Sequence, residues 1–371
     1  ELVPGLARRG MQIDLAAPML GGGEATETLE GVRIHRIPAS LEESPDFYAK
    51  AWQVNRFIES ACQEIIVRDG PFDLIHNHDW LTSFAARALA FKYDLPLVAT
   101  IHATERGRGR GHLVSGQSRR IDQAERYLVR DARRVICCTH YMADEAHRYF
   151  GIPLNKVDVI PNGVDPTSFQ DLAGVDLSAF RARYAEPDEK IVLYVGRIVY
   201  EKGVEVLVRS AEKVLASVPE ARFVIAGKGP ELGKLRHLVE QMDLSNKVEL
   251  TGFIDDATRD RLYKVADCAV FPSLYEPFGI VALEAMVART PLVVSEIGGL
   301  REVVQHAETG ITIYPNDPES CAWGIIHTLQ HPEWARQRVE NAYRKVLMVY
   351  NWDVIAESTE AVYRRAAGAH E

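Results

Sequence analysis

Most features that would point to a membrane, an oxidising compartment or a nucleic acid are missing from this chain. No run of about 18 apolar residues occurs, so nothing is built to cross a bilayer as a helix. There are only five cysteines; Cys137 and Cys138 are adjacent and no C-x-x-C pair exists. That excludes a disulfide or zinc framework and fits reduced thiols. Basic residues are scarce against acidic ones, 43 to 52, and the net charge is −9. This argues against nucleic acid as the main partner and against a basic membrane-binding module. With no signal-peptide pattern at the start, the expectation is a cytoplasmic protein.

What is present is an alternation. Short apolar runs recur between amphipathic segments of ten to fifteen residues. In the first half the strand-like runs are 12–17, 73–76, 95–101 and 133–137, with helical patterns at 82–91 and 121–132. The rhythm restarts at Ile191 and continues to Ile313. Buried strands separated by helices argue for parallel sheets covered on both faces. A length of 371 residues accommodates two such domains. Residues 166–188, polar and bounded by prolines, read as a hinge. The fold class expected is therefore α/β, two doubly wound Rossmann-like domains facing across a cleft. The N-terminal one covers 1–165 and the second 189–350. Ligands of such sheets sit beyond the carboxyl ends of the strands.

The most informative stretch lies at one such end. After the run Asp267-Cys268-Ala269-Val270-Phe271-Pro272 comes Glu276-Pro277-Phe278-Gly279-Ile280-Val281-Ala282-Leu283-Glu284. Pro277 and Gly279 break the strand pattern, and a helix is expected over 280–287. Phe278, Gly279, Ile280 and Val281 then form a turn whose free backbone N–H groups seat a phosphate. Glu276 stands before that seat and Glu284 about one turn inside the helix. Carboxylates accept paired hydrogen bonds from vicinal hydroxyls, so this layout suits a sugar–diphosphate–ribose ligand. A capped helix with a solvated Glu would read the same way in isolation.

A second strand end adds cations. Ile191-Val192-Leu193-Tyr194-Val195 runs into Gly196-Arg197-Ile198-Val199-Tyr200-Glu201-Lys202-Gly203. Arg197 can fork two phosphate oxygens and Lys202 supplies a point charge. Gly227-Lys228-Gly229-Pro230 ends a further strand.

G-R-x-x-x-E-K-G and E-P-F-G-x-x-x-x-E resemble the retaining glycosyltransferases of family GT4, which have the GT-B fold. The resemblance covers essentially the whole chain. It includes His76-Asn77-His78-Asp79-Trp80, Thr100-Ile101-His102-Ala103-Thr104-Glu105 and Ile160-Pro161-Asn162-Gly163-Val164-Asp165. The forms around His78 and His102 look most like the α-glucan (glycogen and starch) synthase branch. The resemblance implies a nucleotide-sugar donor, a saccharide acceptor and no bound metal or other cofactor. It places His102 near the reacting carbon and Asp79 near the acceptor, though Asp79 also reads as a helix N-cap. Lys228 and Gly229 match a position near the nucleotide. Arg197, Lys202 and Glu276 join His102 and Asp79 as the catalytic set, and Glu284 takes the ribose. It also implies that a last helix, about 352–366, returns to the first domain. A first strand and Gly-rich loop belong to the family pattern ahead of the segment 1–10, which reads as the back half of a helix; they are expected upstream.

His76, His78 and Asp79 can be read as metal ligands, but only the two histidines share a strand face. Arg106-Gly107-Arg108-Gly109-Arg110-Gly111 is too short and too poor in aromatics for an RNA-binding repeat; a loop touching acceptor or diphosphate is expected. Two other functions fit the same residues: a nucleotide-sugar epimerase or hydrolase on this scaffold, and a non-catalytic nucleotide-sugar-binding protein.

Overall fold

The computed structural model describes residues 1–19, 24–40 and 43–368. The chain divides into two compact units, Glu1–Asn162 with Trp352–Glu371, and Gly163–Asn351. Among the described residues no helix is long and apolar enough to cross a membrane.

The first unit holds β1 (Ile13–Pro18), β2 (Thr26–Leu29), β3 (Val32–Ile37), β4 (Ile75–His78), β5 (Leu97–Ile101), β6 (Arg134–Cys137) and β7 (Val157–Val159). Strands β4-β5-β6-β7 form one parallel sheet in that order. Every residue of β5 is buried, as its unbroken apolar run requires. The others pair as β1-β3-β2, and β2 runs antiparallel to β3. The alternation of strands and helices gave no sign of that hairpin. Its two-residue turn places both Glu30 and Gly31 at positive φ, 49° and 80°, without the Asn-Gly or Asp-Gly pair that usually marks it.

The final helix, Trp352–Ala367, packs Ile355, Val362 and Ala366 against Val98, Ile136 and Ile160. This helix groups with the first unit. The opening helix, Leu2–Arg8, lies against it: a Cβ on Gly5 would stand 3.0 Å from that of Ala356.

The second unit is one six-stranded parallel sheet: β8 (Lys190–Val195), β9 (Ala221–Ala226), β10 (Val248–Gly252), β11 (Cys268–Phe271), β12 (Leu292–Ser295) and β13 (Ile311–Ile313). Their spatial order is β10-β9-β8-β11-β12-β13. Renumbered within the unit this is 3-2-1-4-5-6, the doubly wound order. Its direction reverses between β8 and β11, and that switch point is where such sheets bind ligands. Residues 166–188 are not the free hinge their polarity indicated. They belong to the second unit, because Phe169 and Phe180 are buried. Phe169 meets Tyr263 edge-on at 6.2 Å.

Candidate active site

The loops leaving β8 and β11 at the switch point carry the two strongest motifs. The β8 loop is sewn to its neighbours by its backbone. Tyr194 Oη donates to Arg197 O at 3.0 Å, Ile198 N to Lys228 O at 2.8 Å, and Glu231 N to Ile198 O at 3.1 Å. Leu274 N donates to Glu201 O at 2.8 Å, tying the β8 loop to the β11 loop. The chain turns into the helix Val204–Ser217 through Gly203 at φ +62°, where a Cβ would stand 2.1 Å from Pro272 O. The two loops can meet this closely only over a glycine.

This approach joins Lys202 to Glu276. Their Nζ and Oε2 lie 2.6 Å apart, and Ser273 Oγ donates to the same oxygen at 3.2 Å. Both side chains are largely withdrawn from water, 19% and 8% exposed, so the pair is one whose separation is costly. Gly299 N donates to Glu276 O at 2.8 Å and fixes the backbone. Arg197 is 61% exposed and lies 3.7 Å from Glu201, placing its guanidinium at the surface of the loop. Lys228 is exposed and sits 4.8 Å from the centre of the Phe253 ring. Gly229 lies beside it in the stitched turn, its carbonyl accepting from Leu232 N.

The helix Ile280–Ala288 begins at Gly279, φ +108°; Ala282 N donates back to Gly279 O at 3.0 Å, and the amides ahead of it precede the intrahelical ladder. Ile280 is half exposed there and Val281 partly so. Phe278 turns its side chain away from solvent. Its ring is buried and packs edge-on against Tyr350 at 6.0 Å, so only its backbone faces the turn.

Glu284 is held by two residues that the motif did not reveal. Tyr263 Oη donates to its Oε2 at 3.1 Å, and Arg259 Nη1 stands 3.6 Å from Oε1. Burial raises the Glu284 carboxyl above the ordinary range, partly offset by Arg259 and Tyr263. Arg259 and Tyr263 share one face of the helix Asp256–Val265 at a four-residue spacing, but nothing in the sequence aims that face at Glu284. A pocket of about 450 Å³ beside Val199 and Tyr200 is lined by neither glutamate.

In the first unit the ends of β4 and β5 meet. Asp79 Oδ1 accepts the backbone N–H of His102 at 2.8 Å. Asp79 starts a short 3₁₀ turn, but its carboxylate does not cap it. Its backbone has φ 54° and ψ −172°, a region costly for a residue with a side chain. Asn77 Nδ2 donates to Asp79 O at 2.6 Å, and Thr82 Oγ1 donates to Asn77 Oδ1 at 2.5 Å, bracing that conformation. The His102 ring stacks on His78 at 5.3 Å, and His102 Nε2 lies 3.0 Å from His78 Nδ1. Desolvation first, then His102, lowers the His78 imidazole to about 4.

His76 cannot serve a metal without losing bonds, since Tyr363 Oη and Thr100 Oγ1 lie 2.5 and 2.7 Å from its nitrogens. Sequence reasoning passed over Glu125, which is 2% exposed. Its carboxylate accepts from Glu105 N at 2.9 and 3.1 Å and so anchors the loop carrying His102. Burial pushes this carboxyl well above its usual range. The Arg-Gly segment is partly built as well. Glu105–Arg108 is a helical turn, and Arg106 makes a two-pronged bond to Asp122 at 3.0 and 3.1 Å.

A doubly wound sheet with cations, a helix N-terminus and two carboxylates at its switch point has the parts of a site for an anion flanked by hydroxyls. Comparison with known proteins agrees. Residues 1–168 match the family described as Glycosyltransferase Family 4, and residues 178–345 match Glycosyl transferases group 1. An uncharacterized glycosyltransferase of Methanocaldococcus jannaschii is 38% identical over 98% of this chain and 92% of its own. Glycogen synthase of Mycobacterium tuberculosis is 37% identical over 79% of this chain and 69% of its own. Among solved structures, sucrose-phosphate synthase from Thermosynechococcus elongatus superposes with a TM-score of 0.83. It is 26% identical and covers 100% of this chain and 92% of that one. The chain belongs to glycosyltransferase family 4 and is an enzyme of that class.

Proposed function

We propose that this glycosyltransferase moves glucose, with retention of configuration, from UDP- or ADP-glucose onto an α-glucan. The observation that carries the reading is the placement of Glu276 and Glu284 around the free amino end of the helix Ile280–Ala288, with Lys202 beside the first. The diphosphate would rest on the amides of Gly279 and Ile280 and on Arg197 and Lys202. Glu276 would hold the sugar hydroxyls and Glu284 the ribose. The glucan acceptor is supported by the similarity to glycogen synthase. Within the first unit, the resemblance to the family would give His102 a role near the reacting carbon and Asp79 one near the acceptor. The five cysteines carry no disulfide, which supports a cytoplasmic setting.

The chemistry is a front-face substitution. The bond from the anomeric carbon to the diphosphate breaks, and the acceptor oxygen bonds to that carbon on the same face. The acceptor proton passes to the leaving phosphate oxygen, and the nucleoside diphosphate departs. Charge that builds on the leaving group is met by fixed cations and amides. A panel of UDP- and ADP-sugars against short malto-oligosaccharides tests the reading. Nucleotide release coupled to α-linked chain extension is expected with a glucose donor; free sugar with no extension would make the protein a hydrolase.

Separate roles for the carboxylates give a pair of expected results. Glu276→Gln should leave free-nucleotide affinity within about twofold while cutting turnover about 10²-fold or more. Glu284→Ala should weaken nucleotide and nucleotide sugar together, by about tenfold for a lost charged hydrogen bond. Calorimetry on both variants checks this, and the opposite pattern would reverse the assignments.

The pH dependence follows from the raised Glu284 carboxyl. Ribose hydroxyls donate to a carboxylate, and a raised pKa keeps the group protonated to higher pH than an ordinary glutamate. Nucleotide affinity should therefore fall as pH drops from neutral toward the ordinary carboxylate range. Glu284→Gln should flatten that slope; an unchanged slope would assign it to another group.

With the diphosphate met by Arg197, Lys202 and amides, exhaustive chelation should change activity by no more than about twofold. A loss restored by magnesium or manganese would contradict this arrangement.

A further inference from the structure

On the second unit, a row of exposed rings shares no residue with the site described above. The helix Pro318–Gln330 carries Trp323 and His327 four positions apart, and Trp334 follows just past its end. Trp323 stacks on His327 at 5.3 Å with a 13° interplanar angle, and His327 lies 5.5 Å from Trp334. On the opposite side His306 stacks on Trp323 at 6.3 Å and 19°. Trp323 and Trp334 are 48% and 52% exposed, and Tyr314 is 68% exposed. Beside Trp323 the surface dips into a depression of about 740 Å³, lined by Tyr314, Thr312, Ser320, Asp317 and Glu319 among others.

Rings that form one contiguous exposed patch, unlike singly scattered ones, mark a binding surface. Their setting indicates what binds. His306 Nδ1 accepts the backbone N–H of Thr312 at 3.1 Å, which leaves a proton for Nε2 and makes that edge a donor. Hydroxyls and carboxylates border the rings, so apolar faces alternate with groups that bond hydroxyls. A pyranose has the complementary form, an apolar C–H face with a rim of hydroxyls. The depression is lined by three acidic side chains and His306, with no lysine or arginine; Arg301 and Lys213 pair with Glu296 and Glu319 on its border. That charge is wrong for a phosphate backbone and suits a neutral ligand. A row of rings, in place of one enclosed pocket, fits an extended chain.

We propose that this face binds a neutral polysaccharide chain, and, resting on the acceptor reading above, that the chain is the α-glucan the enzyme extends. Grip on the polymer at a second point raises the effective concentration of chain ends without touching the chemistry.

Native electrophoresis of the full chain in gels cast with glycogen, with dextran or with no polymer tests the proposal. Glycogen should retard the intact protein. Trp323→Ala/Trp334→Ala should lose at least about tenfold in apparent affinity, while its turnover on a short malto-oligosaccharide stays within about twofold. Trp323→Phe, which keeps a ring and the packing, should be intermediate. Glu276→Gln should be retarded like the intact protein. Retardation that the double variant loses, in a protein without transfer to malto-oligosaccharide, would uphold the saccharide site and refute the glucan-synthase reading. No retardation of the intact chain, or equal retardation of the double variant, would overturn the proposal. So would a dimer, seen by sedimentation, that the double variant dissolves without any glycogen effect.

Discussion

Lys202→Ala should lower turnover by about 10²–10³, the cost of removing one fixed charge from a developing anion, or roughly 3–4 kcal/mol in the barrier. The same change strands a buried carboxylate. Glu276 would keep the Ser273 hydroxyl at 3.2 Å and lose an ammonium at 2.6 Å. Stability should therefore fall too, by about 1–3 kcal/mol. A second substitution separates the two losses. Lys202→Met/Glu276→Gln removes both charges, so chemical unfolding should show most of the stability restored while activity stays lost. Recovery of activity in the double variant would mean that Lys202 serves only to neutralise Glu276.

Gly203→Ala should be among the most damaging single changes to the second unit. Its φ of +62° already disfavours a side chain. A Cβ would also stand 2.1 Å from Pro272 O and 3.1 Å from its carbonyl carbon, both backbone atoms with no rotamer to yield. The β8 and β11 loops would have to part, at a cost of about 3 kcal/mol or more. For a unit of this size that lowers the melting temperature by about 6–12 °C. Because the loops carry Lys202 and Glu276, residual folded protein should also turn over slowly. Gly233→Ala is the control. It lies in the helix Leu232–Gln241 with nothing within 4 Å of a new Cβ, and should be neutral or slightly stabilising. Equal melting of the two variants would show that the loops tolerate separation.

The parts of this structure that could be read in the sequence are those governed by local physics. β8, β9, β11 and β12 are buried on both faces over most of their length, so each carries an apolar run: 191–195, 223–226, 268–271 and 292–294. The break at Pro277 and Gly279 marks the start of the helix Ile280–Ala288 to the residue. Long-range partners left no such trace. Arg259 and Tyr263 reach Glu284 only because the helix Asp256–Val265 packs beside the helix Ile280–Ala288. Glu125 reads as one more charge on an amphipathic helix until the fold buries it against Glu105 N. For Phe278 the motif spoke only to the backbone. Its place in the turn pointed to its backbone N–H and left the ring open; the ring follows apolar area into the core. The span 166–188 misled: two phenylalanines among many polar residues were enough to dock it.

The central claim is retaining transfer of glucose onto a glucan, and the anomeric configuration of the first product tests it most directly. Following the reaction of UDP- or ADP-glucose with a malto-oligosaccharide by proton NMR, before any re-equilibration, should show the new linkage as α from the earliest points. A β linkage would require attack from the opposite face and would contradict the front-face mechanism and the roles given to Lys202, Glu276 and His102.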